Sequence, residues 1–249
     1  MKALITGASS GLGKDMAKIL SDKGYDLILV ARSEEKMKML SSTLKTNIKI
    51  IALDLSKEEA CFQLYERVKD DNIDILINNA GFGLFGEFSD TNLKEELNMI
   101  NLNIKAVHIL TKLFLKDFKK KNQGKILNVA SSAAFSPGPL LSTYYGTKAY
   151  VLRLTEAIYE ELRREKSNVY IGALCPGPVD TGFNDRANVK FSLKGLNSFD
   201  VASYAIDKME KGKLIIIPGK LMKVTRIAQR LVPDKILLKA TYKIQRKKG

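Results

Sequence analysis

The chain has 249 residues, 45% of them hydrophobic and 27% charged, and a formal net charge of +14 at pH 7. This length, with no low-complexity stretch dividing the chain, suits one sizeable α/β domain, and the ordinary apolar and charged content excludes a disordered protein. The first residues lead into a glycine loop rather than a signal-peptide core, and no apolar run is long enough to cross a membrane. With two separated cysteines and a single histidine, we expect a cytoplasmic protein with no disulfide framework and no metal site.

Seven short apolar runs alternate with helical patterns along the chain. Because β-strands that alternate with amphipathic helices form βαβ units, the pattern predicts a seven-stranded, mostly parallel sheet with helices on both faces. Ligands of such sheets bind beyond the carboxyl ends of the strands. The predicted strands are Ala3–Thr6, Leu27–Ala31, Ile48–Leu53, Ile73–Ile77, Lys125–Ala130, Val169–Leu174 and Leu214–Pro218.

A glycine-rich turn follows the first strand and reads Thr6-Gly7-Ala8-Ser9-Ser10-Gly11-Leu12-Gly13. A helical pattern from Lys14 to Lys23 comes next and stops at Gly24. Glycines let the backbone approach a pyrophosphate closely, and a helix N-terminus offers it unpaired N–H groups. A tight turn alone also explains glycines, but the strand-to-helix context favours a phosphate-binding loop.

Five later landmarks accompany this turn in order. They are Asp54 at the end of the third strand, Asn78-Asn79-Ala80-Gly81 after the fourth, Ser131 after the fifth, Tyr144-x-x-x-Lys148 in the next helix, and Pro176-Gly177 after the sixth strand. With the T-G-x-x-x-G-x-G spacing of the turn, the set resembles the short-chain dehydrogenase/reductase superfamily. The resemblance implies a Rossmann-type three-layer αβα sandwich and an oxidoreductase that moves a hydride between a nicotinamide and a carbonyl or alcohol carbon.

The end of the second strand indicates which nicotinamide cofactor binds. NAD-binding proteins of this fold place an acidic residue here, whereas this chain has Ala31 followed by Arg32. A guanidinium pairs with a 2′-phosphate, so we expect NADP(H) rather than NAD(H). Alternatively, Arg32 is a solvated cation that pairs with Glu34 or Glu35.

The resemblance also implies a set of cofactor contacts. Asp54 has a second interpretation, as a turn or N-cap residue before a helix at Ser56. The implied cofactor-binding residues are Gly7, Ser9, Ser10, Gly11, Leu12, Gly13, Arg32, Asp54, Leu55, Asn79, Ala80, Gly81, Tyr144, Lys148, Pro176, Gly177, Val179 and Thr181.

Tyr144 and Lys148 lie four apart in a helical pattern from Thr143 to Arg164, and therefore on one helical face. A tyrosine can donate a proton to a forming alkoxide, and a nearby ammonium is expected to lower its pKa from about 10. Tyr145 is the competing tyrosine, but the family spacing favours Tyr144 and leaves Tyr145 a packing or substrate-side role.

Two further catalytic residues follow from the resemblance. Ser131, 13 residues before Tyr144, would hold the substrate oxygen, with Ser132 as its alternative. Asn103 is the implied fourth member, chosen over Asn101. The only histidine, His108, is expected to be structural or on the surface.

The last 30 residues concentrate positive charge, with ten Lys/Arg against one Asp in residues 220–249, a net charge of +9. Their pattern predicts two basic amphipathic helices. The apolar positions are Val224, Ile227, Ala228 and Leu231 in the first helix, and Ile236, Leu237, Ala240 and Ile244 in the second.

Three interpretations of this tail are open. The apolar stripes pack on the chain's own domain, or they lie on an anionic membrane surface, or the charge receives an acidic partner such as an acyl carrier. Nucleic acid is not expected, because no aromatic-interleaved platform accompanies the charge. We predict a domain over 1–219 with a substrate lid near 182–197, and the tail as an extension of that domain.

The expected activity is NADPH-dependent reduction of a ketone or aldehyde, or the reverse reaction, in a homodimer or homotetramer. A membrane-associated reductase of 3-oxoacyl or other lipid carbonyls is one alternative. A non-catalytic protein that only binds NADP is the other.

Overall fold

A computed structural model describes residues 1–181, 195–229 and 231–246 of the chain. Its strands form one sheet in the order β3-β2-β1-β4-β5-β6-β7, and every pairing between these strands is parallel. The predicted seven-stranded α/β sheet is therefore confirmed. The strands are β1 (Lys2–Thr6), β2 (Asp26–Ala31), β3 (Ile48–Ala52), β4 (Ile75–Asn78), β5 (Lys125–Val129), β6 (Tyr170–Leu174) and β7 (Ile215–Ile216).

Helices cover both faces of this sheet. They are α1 (Gly11–Asp22), α2 (Glu34–Ser41), α3 (Glu58–Val68), α4 (Leu93–Ile100), α5 (Val107–Lys121), α6 (Ser142–Arg164), α7 (Ser198–Glu210), α8 (Lys220–Gln229) and α9 (Asp234–Gln245). A π-helical segment, Asn101–Ala106, joins α4 to α5, and a 3₁₀ turn, Ser132–Phe135, follows β5. None of the described helices is both long and apolar enough to span a bilayer.

Alternating residues of each strand supply two separate cores. In β1, Ala3 and Ile5 pack with α1, α2 and α7, whereas Leu4 points to the opposite face, against α3, α5 and α6. Because both faces are covered, the strands read as continuous apolar runs rather than as alternating ones. The three-layer arrangement follows directly from this burial.

Some predicted boundaries are wrong. The first helix begins at Gly11, inside the glycine turn, rather than at Lys14, and the fourth strand is shifted to Ile75–Asn78. The last strand has only two paired residues, which lie at the edge of the sheet and pair with β6 alone. The predicted lid falls largely on residues 182–194, which lie outside the described part of the chain.

The tail forms the two predicted helices, α8 and α9, but one interpretation of them is wrong. Their apolar stripes do not pack on the chain's own domain. The tail residues Leu221, Val224, Ile227, Leu231, Ile236 and Ile244 each expose between 54% and 81% of their surface. The contacts with the domain come instead from the other side of each helix, through residues such as Met222, Arg226, Thr241 and Gln245.

Candidate active site

A cleft of about 500 Å³ lies at the carboxyl ends of β1, β2, β4, β5 and β6, where the strand order reverses between β1 and β4. A parallel sheet opens to a ligand at this place, because the loops on either side of the switch point diverge. Seventeen of the eighteen residues implied as cofactor contacts line this cleft, and so does Ser131. All of the predicted site residues line the cleft except Gly13 and Asn103.

The glycine turn forms one end of the cleft. Gly7 has φ +66°, a left-handed conformation that favours glycine, and a Cβ on Gly13 would lie 2.4 Å from the Gly7 carbonyl oxygen. Ser10, the residue before α1, makes no side-chain capping hydrogen bond in the described structure. The turn is thus tight and the first N–H groups of α1 are left for an anionic ligand, which fits a dinucleotide phosphate.

Asn79 braces this turn from the neighbouring strand. Its side-chain amide donates to the carbonyl oxygens of Thr6 at 3.0 Å and of Gly7 at 3.2 Å, and its backbone N–H donates to Thr6 Oγ1 at 3.0 Å. Since Asn79 also lines the cleft, one residue joins β1 to β4 and shapes the wall beside the turn.

Arg32 lies on the exposed rim of the cleft, at the end of β2. Glu34, one of its suggested partners, pairs instead with Lys38 at 2.7 Å, and no ion pair of Arg32 is found among the described residues. Lys36 lines the same end of the cleft one turn further along, and sequence reasoning missed it. Helical spacing did not indicate it, because Arg32 lies before α2 whereas Lys36 lies in its first turn.

Asp54 lines the cleft and also forms a turn. Its Oδ1 accepts from the Ser56 N–H at 3.1 Å and from the Ser56 hydroxyl at 2.8 Å. Helix α3 begins only at Glu58, two residues later than the turn interpretation expected.

Tyr144, Ser131 and Lys148 come together at the other end of the cleft. The Tyr144 hydroxyl is hydrogen-bonded to the Ser131 side chain. Ser131 Oγ also accepts from the Ala133 N–H at 3.1 Å, which fixes its orientation at the start of the 3₁₀ turn. Lys148 Nζ lies 5.9 Å from the centroid of the Tyr144 ring and donates to the Val129 carbonyl oxygen at 2.9 Å.

Burial sets the protonation of this group. It raises the pKa of Tyr144 to about 12, against a smaller lowering by the hydrogen bond with Ser131, and it lowers the pKa of Lys148 to about 8. Both shifts have the same cause, since an apolar environment disfavours either charged form. The expected lowering of the Tyr144 pKa is therefore wrong for this structure, in which desolvation is the largest influence on that group.

Asn103 lies behind the cleft and is fully buried in the π-helical segment. Its Oδ1 accepts from the Phe82 N–H at 3.1 Å, and its Nδ2 donates to the Phe82 carbonyl at 2.9 Å and to Thr147 Oγ1 at 3.1 Å. Thr147 in turn donates to the Tyr144 carbonyl oxygen at 2.7 Å. Asn103 therefore ties the loop after β4 to the helix that carries Tyr144 and Lys148.

A contact between the tail and the cleft was not foreseen. Gln245 of α9 is buried, and its side-chain amide nitrogen donates a hydrogen bond to the hydroxyl of Tyr145, which lines the cleft. The two residues are 100 positions apart, so no local pattern signals the pairing. His108 lies on the surface as expected, with its Nδ1 2.7 Å from the Tyr150 hydroxyl.

Comparisons with known proteins agree with this geometry. The short chain dehydrogenase family model matches residues 1–190. An uncharacterized oxidoreductase of Staphylococcus epidermidis is 31% identical over 208 residues, 82% of this chain and 90% of that protein. The 3-oxoacyl-acyl-carrier-protein reductase FabG of Rickettsia prowazekii is 31% identical over 209 residues, 82% of this chain and 83% of that protein.

A solved structure of a short-chain dehydrogenase from Sphingobium yanoikuyae, in complex with NADPH, has a TM-score of 0.83 to this chain. It is 29% identical, and the match covers 88% of both chains. The chain thus belongs to the short-chain dehydrogenase family of NAD(P)-dependent oxidoreductases.

Proposed function

We propose that this protein reduces a ketone or aldehyde with NADPH, or catalyses the reverse reaction, through Ser131, Tyr144 and Lys148. The observation that carries the proposal is the hydrogen-bonded Ser131–Tyr144 pair beside the buried Lys148 ammonium, in the same cleft as the glycine turn. A proton donor, an oxygen-binding hydroxyl and a nearby cation are the groups that carbonyl reduction needs.

NADP(H) is proposed over NAD(H) because Arg32 and Lys36 line the cleft close to the position where NAD-binding proteins of this fold carry an acidic residue. Ala31 places no negative charge at the acidic position, where a carboxylate would repel a 2′-phosphate. The glycine turn and the N-terminus of α1 would hold the pyrophosphate, and the segment from Pro176 to Thr181 would face the nicotinamide. When bound, the cofactor supplies the hydride.

The proposed proton chemistry uses the protonation states of the buried pair. With a pKa of about 12, Tyr144 holds its proton at neutral pH, which is the state that a proton donor requires. Ser131 positions the substrate oxygen, and Tyr144 protonates that oxygen as the new C–H bond forms. Lys148, with a pKa of about 8, is mostly cationic at pH 7 and stabilises the tyrosinate left behind.

Asn103 is proposed as a positioning residue, since its side chain contacts Phe82 and Thr147 rather than lining the cleft. We also propose that residues 1–219 form the catalytic domain with the tail as an extension, and that the protein assembles as a cytoplasmic homodimer or homotetramer.

The experiment is an NADPH-oxidation screen over ketosteroids, 3-oxoacyl thioesters, sugars and small aldehydes, repeated with NADH. We expect turnover of at least one class, loss of roughly 10²–10⁴-fold in Tyr144→Phe, and retained cofactor binding by fluorescence. Tyr145→Phe is the matched control and should retain turnover. Near-normal turnover of Tyr144→Phe would overturn the proposal.

The similarity to a 3-oxoacyl-acyl-carrier-protein reductase favours one second candidate, reduction of a 3-oxoacyl thioester. The same screen separates this candidate from the others. If every carbonyl class fails while NADPH binds, the protein is the non-catalytic binding protein considered above.

A further inference from the structure

The surface formed by α8, α9 and the groove beside β7, which we call the basic face, has a composition that the catalytic cleft does not require. Its helices expose apolar side chains, and the segment that contains them carries most of the chain's net positive charge. Residues 220–249 have a net charge of +9, which leaves only +5 for the other 219 residues. We propose that this face binds an anionic phospholipid bilayer.

The first observation is the orientation of α8. Met222 packs against Gly177, and the Arg226 guanidinium lies 5.0 Å from the Phe135 ring centroid, so these residues mark the side that faces the domain. Leu221 and Val224 extend away from it and are largely exposed. A soluble protein seldom leaves a regular apolar stripe in water unless something covers it.

The second helix repeats this arrangement. Thr241 and Gln245 are buried against the domain, whereas Ile236 and Ile244 are more than half exposed. Three lysines at spacings of four lie next to that exposed stripe, at positions 235, 239 and 243. An apolar stripe flanked by lysines is the pattern of a helix that lies in a membrane interface.

The third observation is a groove of about 520 Å³ between α7, α8 and β7. Four isoleucines and a tyrosine line it together with four cations and no acidic residue. These residues are Tyr204, Ile215, Ile216, Ile217 and Ile227, with Lys208, Lys213, Lys223 and Arg226. One cation, Lys208, is paired with Asp207 at 2.7 Å outside the groove. Apolar surface beneath a cationic rim complements an acyl chain below an anionic headgroup.

Charge decides between a bilayer and a second copy of the chain. In a two-fold interface the same patch meets itself, so the exposed lysines of α9 in one copy would face those of the other. An anionic leaflet instead attracts each Lys or Arg near its surface and accepts the apolar stripe. An acidic protein would neutralise the lysines, but the exposed isoleucines would still need a cover.

Lipid binding through the basic face would also hold the catalytic cleft close to the bilayer. Gln245, on the buried side of α9, donates a hydrogen bond to Tyr145 of α6 in the cleft wall, so the basic face and the cleft are in direct contact. The inference about lipid stands independently of the proposed reaction, because it rests on surface residues that take no part in it.

The test is co-sedimentation of the full chain with vesicles of phosphatidylcholine alone or mixed with phosphatidylglycerol. We expect binding to the mixed vesicles, weakened by salt, and little binding to phosphatidylcholine. A variant with three tail lysines replaced, Lys235→Gln, Lys239→Gln and Lys243→Gln, should bind roughly 100-fold more weakly. Its matched control replaces three exposed lysines elsewhere and should bind normally: Lys57→Gln, Lys94→Gln and Lys166→Gln.

A second variant tests the apolar stripe, with Leu231→Ser, Ile236→Ser and Ile244→Ser. Because these residues are exposed, the variant should fold normally and lose at least roughly tenfold in vesicle binding. The control changes three equally exposed apolar residues outside the tail: Met39→Ser, Phe88→Ser and Leu93→Ser.

Equal vesicle binding by the apolar variant and the wild type would overturn the proposal, as would no binding to anionic vesicles. A change in sedimentation coefficient of that variant without any vesicle binding would assign the stripe to a contact between copies. Binding to an acidic acyl carrier alone would assign the basic face to a protein partner. Turnover of carbonyl substrates affects none of these readouts.

Discussion

The catalytic end of the cleft and the basic face use cations in opposite ways. Lys148 is buried, its pKa is lowered to about 8, and its ammonium is held by the Val129 carbonyl oxygen. Lys235, Lys239 and Lys243 are exposed on α9. A buried ammonium is placed to act on one atom, whereas exposed ammonium groups act together on a charged surface. Lysine is therefore proposed to stabilise a reacting group in the cleft and to attract an anionic lipid surface on the basic face.

In this comparison of cations, the largest expected effect lies at Lys148. Replacing it with Met should lower kcat/KM for carbonyl reduction by roughly 10²–10³-fold, because the tyrosinate loses its neighbouring cation. In the wild type, Lys148 is cationic below its pKa and neutral above it, so the reduction rate should fall as the pH rises through about 8.

A pH–rate profile between pH 6 and about 10 measures this directly. Lys148→Arg is the matched variant, because a guanidinium stays charged over the whole range and should remove the fall near pH 8. A profile of Lys148→Arg that falls at the same pH as the wild type would contradict the role given to Lys148.

A smaller effect is expected at the cofactor rim. Arg32→Ala should raise KM for NADPH by roughly 10–100-fold and leave KM for NADH nearly unchanged, since only NADPH carries the 2′-phosphate. Adding Lys36→Ala should increase the difference. Lys38→Ala is the control, because Lys38 pairs with Glu34 and does not line the cleft. Equal losses for both cofactors would remove the basis for NADP preference.

The fold and most of the cleft were predictable because their signals are local. Each strand is a continuous apolar run, and the glycine turn, the Asn-Asn-Ala-Gly segment and the Tyr/Lys pair each lie within a few residues. Tyr144 and Lys148 lie on one helical face because they are four residues apart and a helix has 3.6 residues per turn. Short motifs at the ends of successive parallel strands meet at one edge of the sheet, so their convergence follows from the topology.

Two features were not predictable, for different physical reasons. The pKa direction of Tyr144 depends on how completely water is excluded from its hydroxyl, and spacing along a helix does not report that. The packing of the tail depends on which side of each amphipathic helix meets the domain. The sequence shows an apolar stripe, but the contacts of Met222, Thr241 and Gln245 decide that the stripe faces outward.

The contact between Gln245 and Tyr145 tests whether the two regions are energetically coupled. Gln245→Ala removes one hydrogen bond and should lower the free energy of unfolding by about 1 kcal/mol. A double-mutant cycle with Tyr145→Phe isolates the pair, and a coupling energy of about 0.5–1.5 kcal/mol is expected. Strictly additive effects would show that the tail and the cleft wall are independent.

The smallest effect is expected on the exposed stripe. Ile236→Ser should change the free energy of unfolding by no more than about 0.5 kcal/mol, because its side chain is already mostly in water. Leu152→Ser in α6 is the contrasting variant; this residue is fully buried, and the change should cost at least about 3 kcal/mol. Urea unfolding curves measure both values.

A loss of stability above about 1 kcal/mol for Ile236→Ser, rising with protein concentration, would mean that other copies of the chain cover the stripe. Without that concentration dependence and with the expected small loss, the stripe is free to meet a lipid surface.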